Sequence, residues 1–457
     1  MGSLIIIPGW LCFVFFSALV ILFILTCFQE RDWSAAGRGC LFFVPMLGIF
    51  AISLIVDVPA QPWIVMAILV LGGVFVLLLI LPSEPGRSIR LISRQEQIDE
   101  RDALFHRFYR LTPGTPEFEA YYREHPDKAN FDEMVRALPS LGRPGSKTYH
   151  PLASPLQVAT FSVLNKITRE IGWEAAPIEA QPVQASPEES TQCIKGFAHY
   201  LGADLVGMTR LNPAYVYSHI GRSPGEWGAP IELDHDYAIA IAVEMTHEMI
   251  RHAPETATTT ETAFKYFESA KIAMILARYI NLLGYEARAH VDGNYRVMCI
   301  PVAADAGLGE LGRLGLLITP EFGPRVRLSL VTTNLPLLPD KPITFGVQHF
   351  CSFCKRCATN CPSGSIDAGE KAIYAGVEKW QSEQDNCYRF WRKQGTDCAI
   401  CIKVCPYSNP NSLMHNMIRW VIRRNNLARR FAFWCDEFIY GDRRSNRFPT
   451  PHWHSTS

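Results

Sequence analysis

The stretch "CSFCKRCATNCP", residues 351–362, holds four cysteines, and "DCAICIKVCPYSNP", residues 397–410, holds three more. The first stretch has the spacing C-x2-C-x2-C-x3-C-P, and the second repeats it with Cys387 as a distant first member. In bacterial ferredoxins this spacing clamps one 4Fe–4S cubane with three cysteines and sends the fourth cysteine to a neighbouring cubane. The two stretches therefore predict a ferredoxin-like domain with two 4Fe–4S clusters.

The crossing of the fourth cysteine divides these residues into two ligand sets. We expect one cluster on Cys351, Cys354, Cys357 and Cys405, and the other on Cys361, Cys387, Cys398 and Cys401. A pair of zinc sites is the alternative, because C-x2-C pairs also bind zinc. The repeated cysteine–proline signature disfavours zinc, and a cytoplasmic location would disfavour disulfides.

The N-terminal part of the chain is strongly apolar. No charged residue precedes Glu30, and uncharged runs follow at residues 39–56 and 58–83. A membrane crossing needs about 20 apolar residues, so three transmembrane helices are predicted. A cleavable signal peptide does not fit, because no Lys or Arg precedes the first run and two further runs follow it.

Arginines give the expected orientation of these helices. Arg31 and Arg38 lie in the first loop, and Arg87, Arg90 and Arg94 follow the third run, whereas the second loop has no Lys or Arg. The positive-inside rule places the arginine-bearing segments in the cytoplasm. The sequence thus predicts a multi-pass protein of the inner (cytoplasmic) membrane with its soluble part facing the cytoplasm.

The soluble part has the pattern of an α/β (α+β) domain. "YAIAIAVEM" (237–245), "RVMCIPVA" (296–303) and "RVRLSLVTT" (325–333) are predicted strands, and residues 262–285 have helical periodicity that ends at Gly284. The predicted division is a membrane anchor at 1–83, a core at 84–345, the two-cluster domain at 346–410, and a tail at 411–457 that packs on the core. Lys plus Arg and Asp plus Glu are 44 each, a balance that does not favour nucleic-acid binding.

A glycine motif, "GLGELG", precedes the first cysteine stretch. Gly307, Gly309 and Gly312 match G-x-G-x-x-G, but the βαβ context of a dinucleotide site is absent. We interpret these glycines as a loop through which the backbone approaches a large cofactor, with a plain turn as an equal alternative.

Residues 303–362 and the stretch "CYRFWRKQGTDCAICIKVCPYSNP" resemble the corrinoid-dependent reductive dehalogenases. The resemblance runs from about residue 195 to residue 410, with a weaker echo in "DEFIYG" of the tail. It implies a nitroreductase-like core that holds a base-off corrinoid (cobalamin) beside the two cubanes. It also implies reductive removal of halide from an organohalide, with one cluster reducing the cobalt that attacks the carbon–halogen bond.

The resemblance also assigns residues to the chemistry. It implies that Tyr266 protonates the carbon, that Arg327 is the cationic partner of Tyr266, and that Asn294 is a pocket asparagine. A free tyrosine has a pKa near ~10, and a guanidinium close by is expected to lower it. The alternative is that Tyr266 is a core aromatic on an amphipathic helix.

The chain departs from the respiratory members of that family, which carry a twin-arginine signal and dock on a separate three-helix anchor. Here three helices are fused to the catalytic part. We therefore expect a built-in anchor in membrane lipid and a low-potential electron donor, either a quinol, a flavoprotein or a ferredoxin. The organohalide and the oligomeric state stay open.

Two other functions remain alternatives. Epoxyqueuosine reductase also combines a corrinoid with two clusters, but its glycine loop typically continues with a lysine where this chain has "GELGRLG". A membrane-bound iron–sulfur electron-transfer subunit would need the cysteines and the anchor, but it would leave the α/β core without a task.

Overall fold

The computed structural model describes residues 2–56, 58–83, 97–170, 181–374 and 376–441. It divides into two compact units. The anchor unit comprises Met1–Gly86 with Pro410–Ser445, and the core unit comprises Arg87–Asn409 with Asn446–Ser457. Arg87, Arg90 and Arg94, on which part of the orientation prediction depends, lie outside the described residues.

The helices are α1 (Gly2–Gln29), α2 (Trp33–Ile55), α3 (Gln61–Ile80), α4 (Leu104–Tyr109), α5 (Pro116–Glu124), α6 (Pro126–Arg136), α7 (Ser154–Glu170), α8 (Pro187–Tyr200), α9 (His247–Ile250), α10 (Thr256–Leu282), α11 (Cys299–Asp305), α12 (Val347–Cys354), α13 (Arg356–Thr359), α14 (Gln384–Gln394), α15 (Ile400–Lys403), α16 (Leu413–Ile422) and α17 (Asn426–Tyr440). The strands are β1 (Leu205–Arg210), β2 (Tyr237–Glu244), β3 (Ala287–His290), β4 (Glu310–Leu311), β5 (Leu317–Ile318), β6 (Val326–Thr333), β7 (Ala372–Tyr374) and β8 (Val377–Lys379).

Three helices of the anchor unit are long and apolar enough to cross a membrane. The apolar spans are Ile6–Gln29, Trp33–Ile55 and Gln61–Ile80, on α1, α2 and α3. Most of their apolar side chains are exposed on the outside of the unit. Exposure of apolar side chains to water costs free energy, whereas exposure to lipid hydrocarbon does not. The predicted apolar helices are therefore confirmed as a candidate membrane anchor.

The tail helices α16 and α17 belong to the anchor unit. Aromatic side chains join α17 to α2 and α3, with ring centroids 5.2 Å apart for Phe42 and Phe438 and 5.1 Å apart for Phe75 and Phe431. The packing of residues 411–457 on the core stays a prediction, and residues 442–457 lie outside the described residues. The apolar face of α17 is matched by apolar membrane helices, a partner that the periodicity of the tail alone does not specify.

The centre of the core unit is a four-stranded antiparallel sheet in the order β1-β2-β6-β3. Large and small apolar residues alternate along β2. Because successive side chains of a strand point to opposite faces, the large ones are buried on one face of the sheet and the small ones on the other. Ile239, Ile241 and Val243 pack with α10, α7 and α8, whereas Ala238, Ala240 and Ala242 face the core around α11. Two buried faces explain why the sequence of β2 contains no exposed polar alternation.

The structure confirms the predicted strands at β2 and β6 and the predicted long helix. α10 begins six residues before the predicted start, at Thr256, and ends just before Gly284, whose φ of +85° is typical of a residue after a helix end. The strand predicted for 296–303 is wrong, because Cys299–Asp305 forms α11. Pro301 lies in the first turn of α11, where proline is tolerated, and alanines and Gly307 follow. The predicted mixed helix and strand fold is confirmed.

Candidate active site and cluster loops

The first cysteine stretch begins on α12, whose start is fixed by a buried carboxylate. Oε1 of Glu310 accepts hydrogen bonds from the backbone N–H groups of Phe345, Gly346 and Val347, at 2.6, 3.1 and 3.3 Å. A negative charge at a helix N-terminus is stabilised by the free N–H groups and by the helix dipole. Glu310 therefore sets the position of the helix that carries Cys351 and Cys354.

A buried arginine holds the other side of this stretch. Arg313 is 1% exposed. Its Nε donates to the Cys351 carbonyl oxygen at 3.0 Å, and its Nη1 donates to the carbonyl oxygens of Asp367 and Gly369 at 2.8 and 3.0 Å. The guanidinium lies 4.4 Å from the ring centroid of Trp380. Arg313 therefore ties the first cysteine to the loop that precedes β7.

Both cysteine stretches bend through residues in the left-handed region. Lys355, between α12 and α13, has a φ of +52°, and Cys398 and Ala399, before α15, have φ values of +63° and +52°. Residues other than glycine rarely adopt this conformation, at a cost of about 1–2 kcal/mol each. Such turns point successive N–H groups into one concave surface, which suits an anionic iron–sulfur cluster.

Electrostatic interactions show which thiols are neighbours. Cys405 interacts with Cys351, Cys354 and Cys357, as the crossed arrangement requires. Cys401 interacts, in decreasing order, with Cys398, Cys387, Cys357 and Cys361, so its neighbours include Cys357 of the other predicted set. The ligand sets stay a prediction.

Burial makes most of these thiols poor acids in the absence of metal. It raises the pKa of Cys351 to about 11, and it raises the pKa values of Cys401 and Cys405 well above the ordinary value. Burial also acts on Cys361, but hydrogen bonds from Ser363 and from nearby backbone N–H groups outweigh it and lower the pKa. Iron binding would deprotonate the raised thiols, since thiolate is the ligand form. Among the described residues, no group of three or more His, Cys, Asp or Glu could hold a single metal ion; a cubane distributes its four ligands over four irons.

The candidate active site lies on α10 and β6. The guanidinium carbon of Arg327 is 4.9 Å from the ring centroid of Tyr266, within the range of a cation–π contact. Nη2 of Arg327 also donates to Oγ1 of Thr262 at 2.9 Å, one helical turn before Tyr266. The structure thus brings together the predicted tyrosine and the predicted cation.

The pKa of Tyr266 is raised, not lowered as the sequence suggested. Burial is the largest cause, because a phenolate loses hydration inside the protein. The charges of Arg327 and Arg222 act in the opposite direction, but they do not overcome burial together with the charge of Asp292. Tyr266 therefore keeps its proton at neutral pH.

Four further residues, which the sequence does not predict, lie around Tyr266. Arg222 contacts Asp292 through two nitrogen–oxygen pairs at 3.3 and 3.4 Å. Tyr295 and Cys299 also interact electrostatically with this group. They come from the β1–β2 loop, from the turn after β3 and from the start of α11, so no local motif could have linked them.

Asn294 is held at both ends of its amide by hydrogen bonds within the core unit. Its Oδ1 accepts from Nη2 of Arg288 at 2.7 Å, and its Nδ2 donates to the Thr168 carbonyl oxygen at 3.0 Å. Both ends of the amide thus join the turn after β3 to α7 and to β3. Among the hydrogen bonds of the described residues, none links Asn294 with Tyr266, so its place in a substrate pocket stays a prediction.

The three motif glycines form a tight hairpin around β4 and β5. A Cβ atom on Gly307 would lie 2.6 Å from the Lys341 carbonyl oxygen, and one on Gly309 would lie 2.2 Å from that of Ile318. At Gly312 it would meet the Ile318 side chain at 2.7 Å. Packing against the protein itself accounts for these glycines, and the role in cofactor binding stays a prediction.

Comparison with known proteins agrees with this arrangement. Residues 350–409 match the family described as "4Fe-4S dicluster domain". The tetrachloroethene reductive dehalogenase of Sulfurospirillum multivorans is 33% identical over 309 residues, 60% of this chain and 61% of that protein. Part of the chain is thus similar to the tetrachloroethene reductive dehalogenases. It spans about three fifths of the length of that relative.

Solved structures of reductive dehalogenases extend the similarity to the fold. The catabolic reductive dehalogenase NpRdhA, in complex with 3-bromo-4-hydroxybenzoic acid, is 26% identical with a TM-score of 0.64, over 80% of this chain and 49% of that chain. Another reductive dehalogenase structure, described in connection with B12-dependent dehalogenation, is 25% identical with a TM-score of 0.63, over 80% of this chain and 49% of that chain. The chain therefore resembles these reductive dehalogenases in fold, and it contains a 4Fe–4S dicluster domain.

Proposed function

We propose that this chain removes halide from an organohalide, as a corrinoid-dependent reductive dehalogenase that receives electrons through two 4Fe–4S clusters. The observation that carries the proposal is the contact of Tyr266 with Arg327, in the same unit as the cysteine loops. A phenol that keeps its proton beside a guanidinium is a group that can protonate a carbon. The similarity to the tetrachloroethene enzyme supports an organohalide substrate.

The residues around Tyr266 fit a bound cofactor. Tyr266, Tyr295 and Cys299 are surrounded by protein and still keep part of their surface accessible, as residues that line an internal space do. The buried Nε atoms of Arg222 and Arg327 have no hydrogen-bond partner among the described residues. Buried donors without acceptors are rare, so a ligand that brings acceptors would complete the site. A corrinoid bound here would supply a strongly reducing cobalt centre for cleavage of the carbon–halogen bond.

The residues of the chain have separate tasks in this proposal. Tyr266 holds the proton at its Oη, and burial prevents its loss at neutral pH. Arg327 and Arg222 offset part of the cost of a phenolate after proton transfer, because their charges lower the pKa. Asp292 keeps Arg222 in place through its paired oxygen atoms.

The clusters and the anchor complete the proposal. The ligand sets are the two crossed sets, Cys351, Cys354, Cys357 and Cys405 for one cluster and Cys361, Cys387, Cys398 and Cys401 for the other. The three apolar helices anchor the protein as a multi-pass protein in the cytoplasmic membrane, with the core unit in the cytoplasm. A low-potential donor, either a quinol, a flavoprotein or a ferredoxin, supplies the electrons.

The test is metal content and halide release. Full-length protein is purified in detergent without oxygen, from cells supplied with a corrinoid, and iron and cobalt are measured per chain. The reduced protein is then given tetrachloroethene, trichloroethene and 3-bromo-4-hydroxybenzoic acid, and chloride or bromide is measured. We expect eight irons and one cobalt per chain and halide release from at least one compound.

Other results would favour other functions. Eight irons without cobalt, despite corrinoid supply, would favour an electron-transfer subunit. One cobalt without halide release, combined with reduction of epoxyqueuosine in RNA, would favour an epoxyqueuosine reductase. A reporter fused to the C-terminus tests the orientation separately. We expect activity from a reporter that works only in the cytoplasm and none from one that works only outside it.

A further inference from the structure

Asp397 links the candidate active site to the second cysteine stretch. It is buried and directly precedes Cys398. Its Oδ2 lies 3.5 Å from Nη2 of Arg327, the same nitrogen that donates to Thr262. A single side chain therefore joins the cation beside Tyr266 to a predicted cluster ligand.

The position of Asp397 is fixed by α10. Oγ1 of Thr259 donates to Oδ1 of Asp397 at 2.8 Å and accepts the Asp397 backbone N–H at 3.0 Å. Thr262 follows Thr259 by three residues, and Tyr266 follows Thr262 by four, so all three lie along one face of α10. The same helix face thus orients the tyrosine, its cation and the carboxylate.

We propose that Asp397 is a positioning residue, which holds Arg327 against Tyr266 and couples this pair to the cluster on Cys361, Cys387, Cys398 and Cys401. The inference rests on the proposed function for the role of Tyr266, but the link between Arg327 and the cluster loop does not depend on the substrate. The side chains of Arg327 and Asp397 are only 12% and 7% exposed, so the pair is weakly screened by water.

Two physical consequences follow from this arrangement. The carboxylate places a negative charge next to Cys398, and the guanidinium offsets it. Net charge near an iron–sulfur cluster changes the reduction potential of that cluster. Loss of Asp397 should therefore change the potential and, by freeing Arg327, the rate of the step that uses Tyr266.

The test is a double-mutant cycle in which the reduction potential of each cluster is measured. Wild type, Asp397→Asn, Arg327→Gln and the double variant are purified with iron and corrinoid, and the midpoint potentials of both clusters are measured by electron paramagnetic resonance during redox titration. We expect Asp397→Asn to raise the potential of the second cluster and Arg327→Gln to lower it. The Arg327→Gln shift should be clearly smaller in the Asp397→Asn background, because Arg327 is no longer held near the loop. Additive shifts, or no shift in either single variant, would overturn the proposal.

Steady-state kinetics give a second readout. Asp397→Asn should lower kcat roughly ten- to a hundredfold with little change in KM, since misplacement of a group near the chemistry acts on the transition state. Asp397→Glu, which restores the charge, should recover part of kcat. Equal kcat in wild type and Asp397→Asn would contradict a positioning role.

Controls separate a folding defect from a failure of the idea. Asp340→Asn removes a carboxylate that pairs with Lys195 at 2.6 Å, and it should leave both potentials and kcat unchanged. If Asp397→Asn loses iron, Thr259→Val loosens Asp397 without a change of charge, and it should lower kcat with iron retained. If the wild type releases no halide, the proposed function fails, whereas the cycle of potentials still decides whether Asp397 couples Arg327 to the cluster.

Discussion

Replacement of Arg313 by lysine should weaken the hold of the protein on its first cluster. Arg313 makes three hydrogen bonds to carbonyl oxygens of Cys351, Asp367 and Gly369 from a guanidinium that is 1% exposed. A lysine keeps the charge, but a single ammonium cannot reach three carbonyls that a planar fork reaches. We expect about one of the three bonds to remain.

The magnitude follows from the bonds that are lost. A hydrogen bond to a charged group contributes about 1.5–3 kcal/mol, so loss of two should cost at least about 3 kcal/mol. A factor of ten corresponds to about 1.4 kcal/mol, so local opening of the loop becomes about a hundredfold more frequent. The guanidinium also lies 4.4 Å from the ring centroid of Trp380. A lysine at position 313 would gain little from this ring to offset the lost hydrogen bonds, because the ammonium of Lys371 already lies 4.7 Å from the same centroid.

The assay is the rate at which reconstituted protein loses iron to an excess of a chelator, followed by the cluster absorbance. Arg313→Lys should release one cluster about a hundredfold faster than the wild type. Arg429→Lys is the matched control, because Arg429 is also fully buried and donates to the carbonyl oxygens of Ile422 and Arg423 in the tail. An Arg313→Lys rate equal to that of the control would refute the reasoning.

Three further outcomes are expected. Tyr266→Phe should keep iron and cobalt but lower halide release by at least about a hundredfold, as loss of a general acid does, whereas Tyr279→Phe on the same helix should behave like the wild type. The raised pKa of Tyr266 keeps the acid protonated, so kcat of the wild type should not fall below about pH 10 on the alkaline side. Arg327→Gln removes a charge that lowers this pKa, so it should move any alkaline loss of kcat to higher pH. A loss of kcat centred near pH 8 would contradict this. Glu310→Gln should lower the temperature at which cluster absorbance is lost, because an amide accepts three N–H groups less strongly than a carboxylate does. Glu189→Gln, at the exposed start of α8, should change that temperature much less.

The sequence predicted those parts of the fold in which one local pattern dominates. β2 has a continuous apolar run with β-branched residues, which favours a buried strand, and α10 has a helical period and a glycine after its end. The prediction of a strand is wrong at α11, because the apolar run around Pro301 has no clear period over so few residues. Its helical signals, a proline in the first turn and Gly307 after the end, require that the turn be recognised first.

The site was less accessible from the sequence, because its charges are balanced only in three dimensions. The resemblance supplied Tyr266 and Arg327, but Arg222 and Asp292 lie in separate loops and meet only after the sheet has formed. The direction of the Tyr266 pKa depends on burial, which no residue type reveals. Glu310 lies inside the glycine motif, but the backbone N–H groups that it caps are 35 to 37 residues away, so no local pattern indicates this role.

The interleaved grouping of the thiols has a consequence for the biogenesis of the protein. With the proposed crossed sets, Cys351, Cys354 and Cys357 leave the ribosome well before Cys405, and Cys361 leaves well before Cys401. Neither cubane can acquire its fourth ligand until the second stretch has been synthesised and folded back onto the first. Cofactor insertion is therefore a late event of maturation, and a nascent chain truncated between the stretches should hold no complete cluster.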